Sequence, residues 1–582
     1  MLDTVRYWGG APIRLRMRRQ VASFIKATQN SRGAQNAVLK RLIALNADSD
    51  FGRQHGFSEI RNVADFRARL PISDYEYFRP YIERLKNGES SALLGPQNRL
   101  LMFALTSGTT SGAKYIPITS QFMDDYRLGW RIWGVCAYDD HRALYKRRIV
   151  QLSSDYDQFR TPGGTPCGNI SGLACEMLNP LIQTMYTVPK PVMKIKDPRS
   201  KYYAMLRAAI TDSKVGIVTT ANPSTLLHLA KLADECREDL IRDIADGTLS
   251  KKVSVDDEIR HGLRRKTRAN PKRARELEAI VNRTGHLYPK DFWPELELLS
   301  VWTGGSMGPY LAGLPQFYGE NNIRDHGLSA SEGRMTIPLS SNTSSGVLDA
   351  TSHFFEFIPE EEMGSADPTV LEAHELIEDR NYFILLTTAS GLYRYDIHDV
   401  VRCTGFLGTT PTLEFLNKGA HISSITGEKI SESQIVAAVR ESVDPLGLEL
   451  GHFTVVPSWG EPPGYRFLVE ETNLPSADVG AKIVASTDHC LKRLNPEYDE
   501  KRNTGRLGPM TMQLLPKGTW EKFCVKRQSR VGGSLEQYKH PCLVPQLEFY
   551  QEFMDEFVNG RRTETDGIPR PYSSAANRVD AK

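Results

Sequence analysis

The chain has 582 residues, 40% hydrophobic and 25% charged, with 73 basic side chains against 70 acidic ones for a formal net charge of +3. That length exceeds one ordinary core and predicts two to four domains, which an average globular composition can fill. The near balance of charge excludes a global field that would recruit nucleic acid or an anionic membrane, so neither partner is expected. Any anionic ligand must be held by local chemistry.

The eight cysteines, Cys136, Cys167, Cys175, Cys236, Cys403, Cys490, Cys524 and Cys542, include no C-x-x-C pair. Neither a disulfide framework nor a zinc site is read from them, and a reducing cytoplasm fits best. The N-terminal "MLDTVRYWGGAPIRLRMRRQ" has arginines but no continuous apolar stretch, so it does not read as a secretory signal. No apolar run reaches the roughly 18 residues of a membrane-spanning helix.

The first hundred residues are expected to be mostly helical, with helical spacing of apolar positions in "QNAVLKRLIAL" from Gln35 to Leu45. Strands then alternate with helices. "RRIVQLSS" and "KVGIVTT" are β-branched runs that suit buried strands. The second leads through Pro223, Ser224 and Thr225 into one amphipathic helix, "LLHLAKLADECREDLIRDI". "LELLSVWTGG" is a further strand ending on glycines. This alternation predicts an α/β layer structure, in which ligands bind beyond the carboxyl ends of the strands. The basic stretch "RHGLRRKTRANPKRARELEAIVNR" lacks aromatics and carries interspersed acids, so it reads as a solvated helical hairpin rather than a nucleic-acid patch. After about residue 350 the texture becomes strand-rich, as in "YFILLTT" and "LYRYDIHDVVRCTGF", and predicts a β-subdomain. Beyond Lys418 a compact α+β pattern follows, with "NKGAHISS" as the joint. The expected division is 1–417, then a smaller C-terminal domain at 418–558, then a disordered polar tail at 559–582.

The segment "LTSGTTSGAKYIPIT", Leu105 to Thr119, combines hydroxyls, glycines and Lys114. A phosphate loop of the Walker type needs four residues between its glycines and then Gly-Lys-Ser/Thr, leading into a helix. Here three residues separate Gly108 from Gly112, Ala113 precedes Lys114, and "YIPIT" reads as a strand. The Walker reading fails, and the segment is expected to join two strands. Its chemistry still suits phosphate: glycines expose backbone N–H groups, hydroxyls donate, and lysine adds positive charge. No G-x-S-x-G elbow, H-E-x-x-H helix or G-x-G-x-x-G turn competes with it.

This segment resembles the T-S-G-T-T-G-x-P-K signature of the adenylate-forming superfamily. "GLSASEG", Gly327 to Gly333, resembles that superfamily's loop ending in Ser/Thr-Glu. "YRYDIHDVV", Tyr393 to Val401, resembles its strand bearing the ribose-binding aspartate. "GLYRYDIHDVV", "GEKISESQI" and "LEQYKHP" further resemble one branch, the auxin-responsive acyl acid amido synthetases of the Gretchen Hagen family in a bacterial-type form. The likeness runs from about Asp50 to Phe557. It implies a large N-terminal adenylating domain of α/β layers plus a β-subdomain, and a smaller mobile α+β C-terminal domain.

It also implies roles. Ser107, Thr109, Thr110, Gly112 and Lys114 would hold the β- and γ-phosphates of ATP, and Ala330, Ser331 and Glu332 would lie beside adenine and the α-phosphate. Glu332 would ligate Mg2+, its plain alternative being a glutamate at a helix N-terminus. Asp399 would bind ribose. Lys418 would sit at the pivot, and Lys539, with Lys429 as another candidate, would swing onto the α-phosphate. Arg402 could screen phosphate or face solvent. "WTGGSMGPYL", Trp302 to Leu311, would line the acyl or nucleotide pocket, or its glycines would serve close packing. Two positions depart from the family pattern: Leu328 stands where an aromatic is common, and His398 replaces a glycine. His398 therefore implies either a strained backbone or a conventional local conformation.

The implied activity is ATP-dependent joining of a small carboxylic acid to an amine or amino acid. The alternatives are an acyl-CoA-forming ligase and a non-catalytic nucleotide-binding protein. A monomer or weak dimer is expected.

Overall fold

The computed structural model describes residues 11–559 apart from 108–112, 265–266, 363–364, 366, 420–421, 424, 427, 429, 504, 506 and 532–539. The chain enters through helices Ala11–Thr28, Ser31–Asn46, Asp50–Gln54, Val63–Arg69 and Tyr75–Lys86, in keeping with the helical start read from sequence. Asn30 caps the second by accepting from Gly33 N, a contact of the kind that stabilises a helix by about 1 kcal/mol. Its buried face carries Gln35, Val38, Leu39, Leu42 and Ile43. Gln35 pins that face to the β-structure. Its Nε2 donates to the carbonyls of Ala350 and His353, and its Oε1 accepts from Phe355 N.

The α/β layer is a parallel sheet of Arg148–Gln151, Val215–Thr219, Leu298–Val301 and Asn322–Asp325, in that spatial order. Parallel neighbours need long crossovers, and helices such as Pro198–Ala209 and Pro223–Glu235 supply them. The two central strands are apolar because both of their faces are covered, whereas the edge strand Asn322–Asp325 is mostly polar. Where one helix is expected from Leu226 to Ile244, there are two, Pro223–Glu235 and Arg237–Asp246, broken at Cys236. The second begins with Glu238 and Asp239 in its first turn, where acidic side chains oppose the positive end of the helix dipole. The basic stretch forms two helices, Asp257–Arg264 and Pro271–Thr284, but the second packs on Arg237–Asp246 and buries Arg273 where a solvated hairpin is expected.

A second sheet pairs Leu100–Ser107 with Ala113–Thr119 in antiparallel register, with Pro166–Gly168 and Phe159–Arg160 beyond. The strand-rich middle of the chain forms an antiparallel seven-stranded sheet among the described residues. Its long central pair is Tyr395–Leu407 and Thr410–Lys418. The largest core joins the entry helices, the Leu100–Thr119 hairpin and this sheet, with Phe51, Phe78, Phe103, Tyr393 and Tyr395 all buried.

The C-terminal part packs helices Glu432–Val443 and Ala477–Leu494 on a sheet of Phe453–Ser458, Gly464–Glu470 and Thr511–Leu515. Its own core gathers residues from Ile430 to Leu543. The whole is a mixed α/β fold, a large N-terminal part followed by a smaller α+β one. No helix among the described residues is long and apolar enough to cross a membrane. Residues 560–582, most of the expected tail, lie outside the described residues.

Candidate active site

The glycine- and hydroxyl-rich segment joins two paired strands. Thr106 stands opposite Lys114 and Ser107 opposite Ala113, so the two strands are antiparallel partners and no helix follows the loop directly. That is the arrangement its apolar flanks predict. Ser107 ends the first strand. Thr109, Thr110 and Gly112 lie outside the described residues. Lys114, half-buried on the second strand, places Nζ 5.6 Å from the centre of the Tyr75 ring. Tyr75 accepts a hydrogen bond from Tyr115 N at 3.0 Å through its hydroxyl, which fastens the hairpin to the start of helix Tyr75–Lys86.

Gly327 to Gly333 leads into a second hairpin. Ser329–Ala330 pairs with Gly333–Arg334, Ala330 opposite Gly333, and Ser331 and Glu332 form the two-residue connection. Glu332 is thus a turn residue and not a helix N-terminal glutamate, which removes the plain alternative for it. It is 8% exposed. Gly327 has φ +86°, and a Cβ there would come within 2.2 Å of Thr336 O, so only glycine fits the bend into this hairpin. Leu328 is half-buried against the main core, and its N–H donates to Thr336 Oγ1 at 2.8 Å.

The residue that aims this loop is Asp325, which sequence reasoning missed. At the carboxyl end of the last parallel strand, its Oδ2 accepts from Thr303 N at 2.5 Å and Thr303 Oγ1 at 2.6 Å, and its Oδ1 from Gly327 N at 2.5 Å. Burial pushes its carboxyl above the usual range, against the pull of those donors. Two parallel strands therefore end on one carboxylate that also holds the Glu332 loop. Alongside, the buried Arg334 lies over Trp130 at 4.4 Å and donates to His326 O at 2.5 Å.

The third element is the strand Tyr395–Leu407. Ser73 pairs with its first residue, Ser73 N donating to Arg394 O and Asp396 N to Ser73 O, which sets Asp74 and Tyr75 beside Tyr395. Tyr395 is fully buried. Burial raises its phenol first, and the charges of Glu332, Asp74 and Asp396 raise it further. Tyr75 and Tyr395 thus form the seam where the Lys114 hairpin, the Glu332 hairpin and the Asp399 strand meet. Asp399 is 4% exposed and stands opposite Lys418 across the central strand pair. His398 has φ +58°, so the strained alternative holds. Its Nδ1 contacts Asp396 Oδ2 at 2.9 Å, its N–H donates to Asp396 Oδ1 at 2.6 Å, and its carbonyl accepts from Gly419 N at 2.7 Å. Arg402 is exposed and donates to Asn381 Oδ1. Lys418 ends its strand, whereas Lys429 and Lys539 lie outside the described residues. In "WTGGSMGPYL" the glycines pack closely: a Cβ on Gly304 or Gly305 would stand 3.1 Å from Phe415 atoms.

Comparison with known proteins bears on family and fold. The GH3 family N-terminal domain matches residues 20–323, the GH3 family central domain 346–418 and the GH3 family C-terminal domain 433–548. A jasmonoyl-L-amino acid synthetase of Oryza sativa subsp. japonica is 25% identical, over 90% of this chain and 94% of its own. An indole-3-acetic acid-amido synthetase of Arabidopsis thaliana is 24% identical, over 89% of this chain and 90% of its own. The solved structure of GH3.15 acyl acid amido synthetase superposes with a TM-score of 0.80 at 22% identity, covering 92% of this chain and 96% of that one, and shares the fold. With its N-terminal domain alone matched over more than half the chain and the other two following in order, the protein belongs to the GH3 family.

Proposed function

We propose that this chain is an ATP-dependent acyl acid amido synthetase, which activates a carboxylic acid as its acyl adenylate and passes the acyl group to an amine, with an amino acid as the acceptor class. Relatives named as a jasmonoyl-L-amino acid synthetase and an indole-3-acetic acid-amido synthetase support the reaction type. The observation that carries the reading is the seam at Tyr75 and Tyr395, where Lys114 and the buried Glu332 arrive from separate segments beside the strand that bears the buried Asp399.

In the first half-reaction a carboxylate oxygen bonds to the α-phosphorus of ATP, the bond to the β-phosphate bridge breaks, and pyrophosphate leaves. Two anions must meet, so donors and positive charge aimed at the phosphates lower the barrier. Ser107, Thr109, Thr110, Gly112 and Lys114 take that role, with Ala330 and Ser331 beside adenine. Lys114 is the second residue of the strand that follows the loop, so its charge is delivered from a rigid element. Asp399 accepts from ribose hydroxyls. The Glu332 carboxylate, a hard oxygen donor held at the tip of its hairpin, fits Mg2+ and would hold it, and the bound ion neutralises phosphate charge. In the second half-reaction the amine nitrogen attacks the acyl carbon, AMP leaves and the nitrogen sheds a proton. Lys539 acts in the first half-reaction only, with the C-terminal part pivoting near Lys418 between the two and Lys429 beside that joint.

The test is pyrophosphate release across aromatic and aliphatic acids with pooled amino acids as acceptors. Lys539→Ala should slow ATP–pyrophosphate exchange far more than amide formation from supplied acyl adenylate. Equal losses would sink the lysine's role, and a thioester product with coenzyme A in place of an amide would sink the amide reading.

A further inference from the structure

Three side chains with metal-binding atoms converge in the C-terminal part. The ligand atoms of His452, Cys524 and His540 all lie within 4.8 Å of one another. His452 precedes the strand Phe453–Ser458, Cys524 lies on helix Thr519–Val531, and His540 begins the segment that extends the same sheet. Each is set on rigid structure. Val455 N donates to Cys542 O and Val544 N to Val455 O, which locks the segment after His540 to the strand after His452. Glu470 accepts from Gly518 N and Trp520 N and so fixes the start of the Cys524 helix. The Trp520 ring meets His540 edge-on at 4.6 Å.

We propose that His452, Cys524 and His540 form a binding site for one divalent transition-metal ion, for which this donor set selects zinc. Two imidazoles and a thiolate are borderline-soft ligands of the kind zinc takes, and three protein ligands leave a fourth position for solvent. In a tetrahedral site with bonds of about 2.0–2.3 Å the ligand atoms stand about 3.3–3.8 Å apart, so closure needs side-chain shifts of about an ångström.

The surroundings orient both rings. Thr454 Oγ1 spends its only proton on Pro541 O at 2.8 Å, so at 2.9 Å it accepts from His540 Nε2. The ring also hydrogen-bonds to the Phe453 backbone. Tyr310 Oη lies 2.5 Å from His452 Nδ1, which leaves Nε2 as that ring's ligating nitrogen. A second partner on the non-ligating nitrogen is the usual support of a metal-bound histidine. Burial lowers both imidazoles, His452 to about 4, in keeping with neutral rings. Tyr310 comes from helix Gly308–Ala312 of the N-terminal part, so the site would brace a contact between the two parts of the chain. It would also fix the backbone one residue beyond Lys539. The site stands whether or not the chain makes amides.

The test uses the full, tag-free chain stripped with a chelator and then titrated with Zn2+ or, as a spectroscopic probe, Co2+. One equivalent should bind. Cobalt should show a thiolate charge-transfer band, and X-ray absorption of the zinc-loaded, unmutated chain should report one sulfur at ~2.3 Å and two imidazole nitrogens at ~2.0 Å. Cys524→Ser should abolish the band, and Tyr310→Phe should weaken affinity ~10- to 100-fold, as expected for a positioning residue. Failure to bind, a shell without sulfur, or a band that survives Cys524→Ser overturns the proposal. The absorption measurement needs no variant, so it decides even if Cys524→Ser does not fold.

Discussion

Replacing His353 with leucine should make the fold more resistant to acid. His353 is 1% exposed, and neither of its ring nitrogens has a hydrogen-bond partner among the described residues. The ring stacks near Phe122 at 5.7 Å and lies under the Glu332 hairpin, where a Cβ on Gly333 would stand 3.2 Å from its Cδ2 and Nε2. Burial, and next the charge of Arg41, lower its pKa to about 3. The unfolded chain has a histidine pKa of about 6.5, so between about pH 6.5 and about pH 3 it binds a proton that the folded chain rejects. Stability therefore rises with pH through that window and is lost as pH falls below about 6.5. At pH ~5.5, one unit below the unfolded value, the loss is about 1.4 kcal/mol for this side chain. His353→Leu removes that loss. At pH ~7.5 relief from two unpaired buried nitrogens, about 1–3 kcal/mol, opposes a repacking cost of similar size, so stability there should change little. Urea unfolding of both proteins at pH ~7.5 and pH ~5.5 reads the difference. The variant should lose about 1.4 kcal/mol less than the parent across the interval. Equal losses would refute the claim that a buried neutral histidine supports the hairpin.

Two further outcomes follow from the geometry. Asp325→Asn presents an N–H in place of one acceptor to Thr303 or Gly327, which should cost about 1–3 kcal/mol and reduce pyrophosphate exchange by displacing the Glu332 loop. Unchanged exchange in a folded variant would show that Asp325 does not aim that loop. At His398, φ +58° costs a side chain about 1–2 kcal/mol, whereas glycine adds about 0.4–1 kcal/mol of unfolded-chain entropy. His398→Gly should therefore be about 0.5–1 kcal/mol more stable than His398→Ala. Matching denaturation midpoints for the two would mean that the backbone there is not strained.

Whatever depends on a few consecutive residues was legible in the sequence. Apolar flanks marked the strands on either side of the glycine- and hydroxyl-rich loop, and their antiparallel pairing at Thr106 and Lys114 excludes a Walker loop, as the glycine spacing did. Three of the four parallel strands of the α/β layer showed as short runs while the polar Asn322–Asp325 did not, and three motifs in chain order pointed to the family. One local signal misled. The apolar periodicity from Leu226 to Ile244 runs across Cys236 because both helices bury apolar residues in one core, and only the packing separates them.

Contacts between distant segments were decided by the tertiary structure alone. Tyr75 and Tyr395 are 320 positions apart, and no spacing rule joins them until Ser73 pairs with the strand edge. Asp325 looked like any strand-end aspartate until Thr303 and Gly327 closed on it. Glu332 could have opened a helix, and the register of a four-residue pairing made it a hairpin tip. Cysteines and histidines without zinc-motif spacing carried no metal signal. His452, Cys524 and His540 share a site because strand, helix and sheet extension bring them together. Local pattern is written by nearest neighbours along the chain, whereas a site is written by neighbours in space, which only the packed core selects.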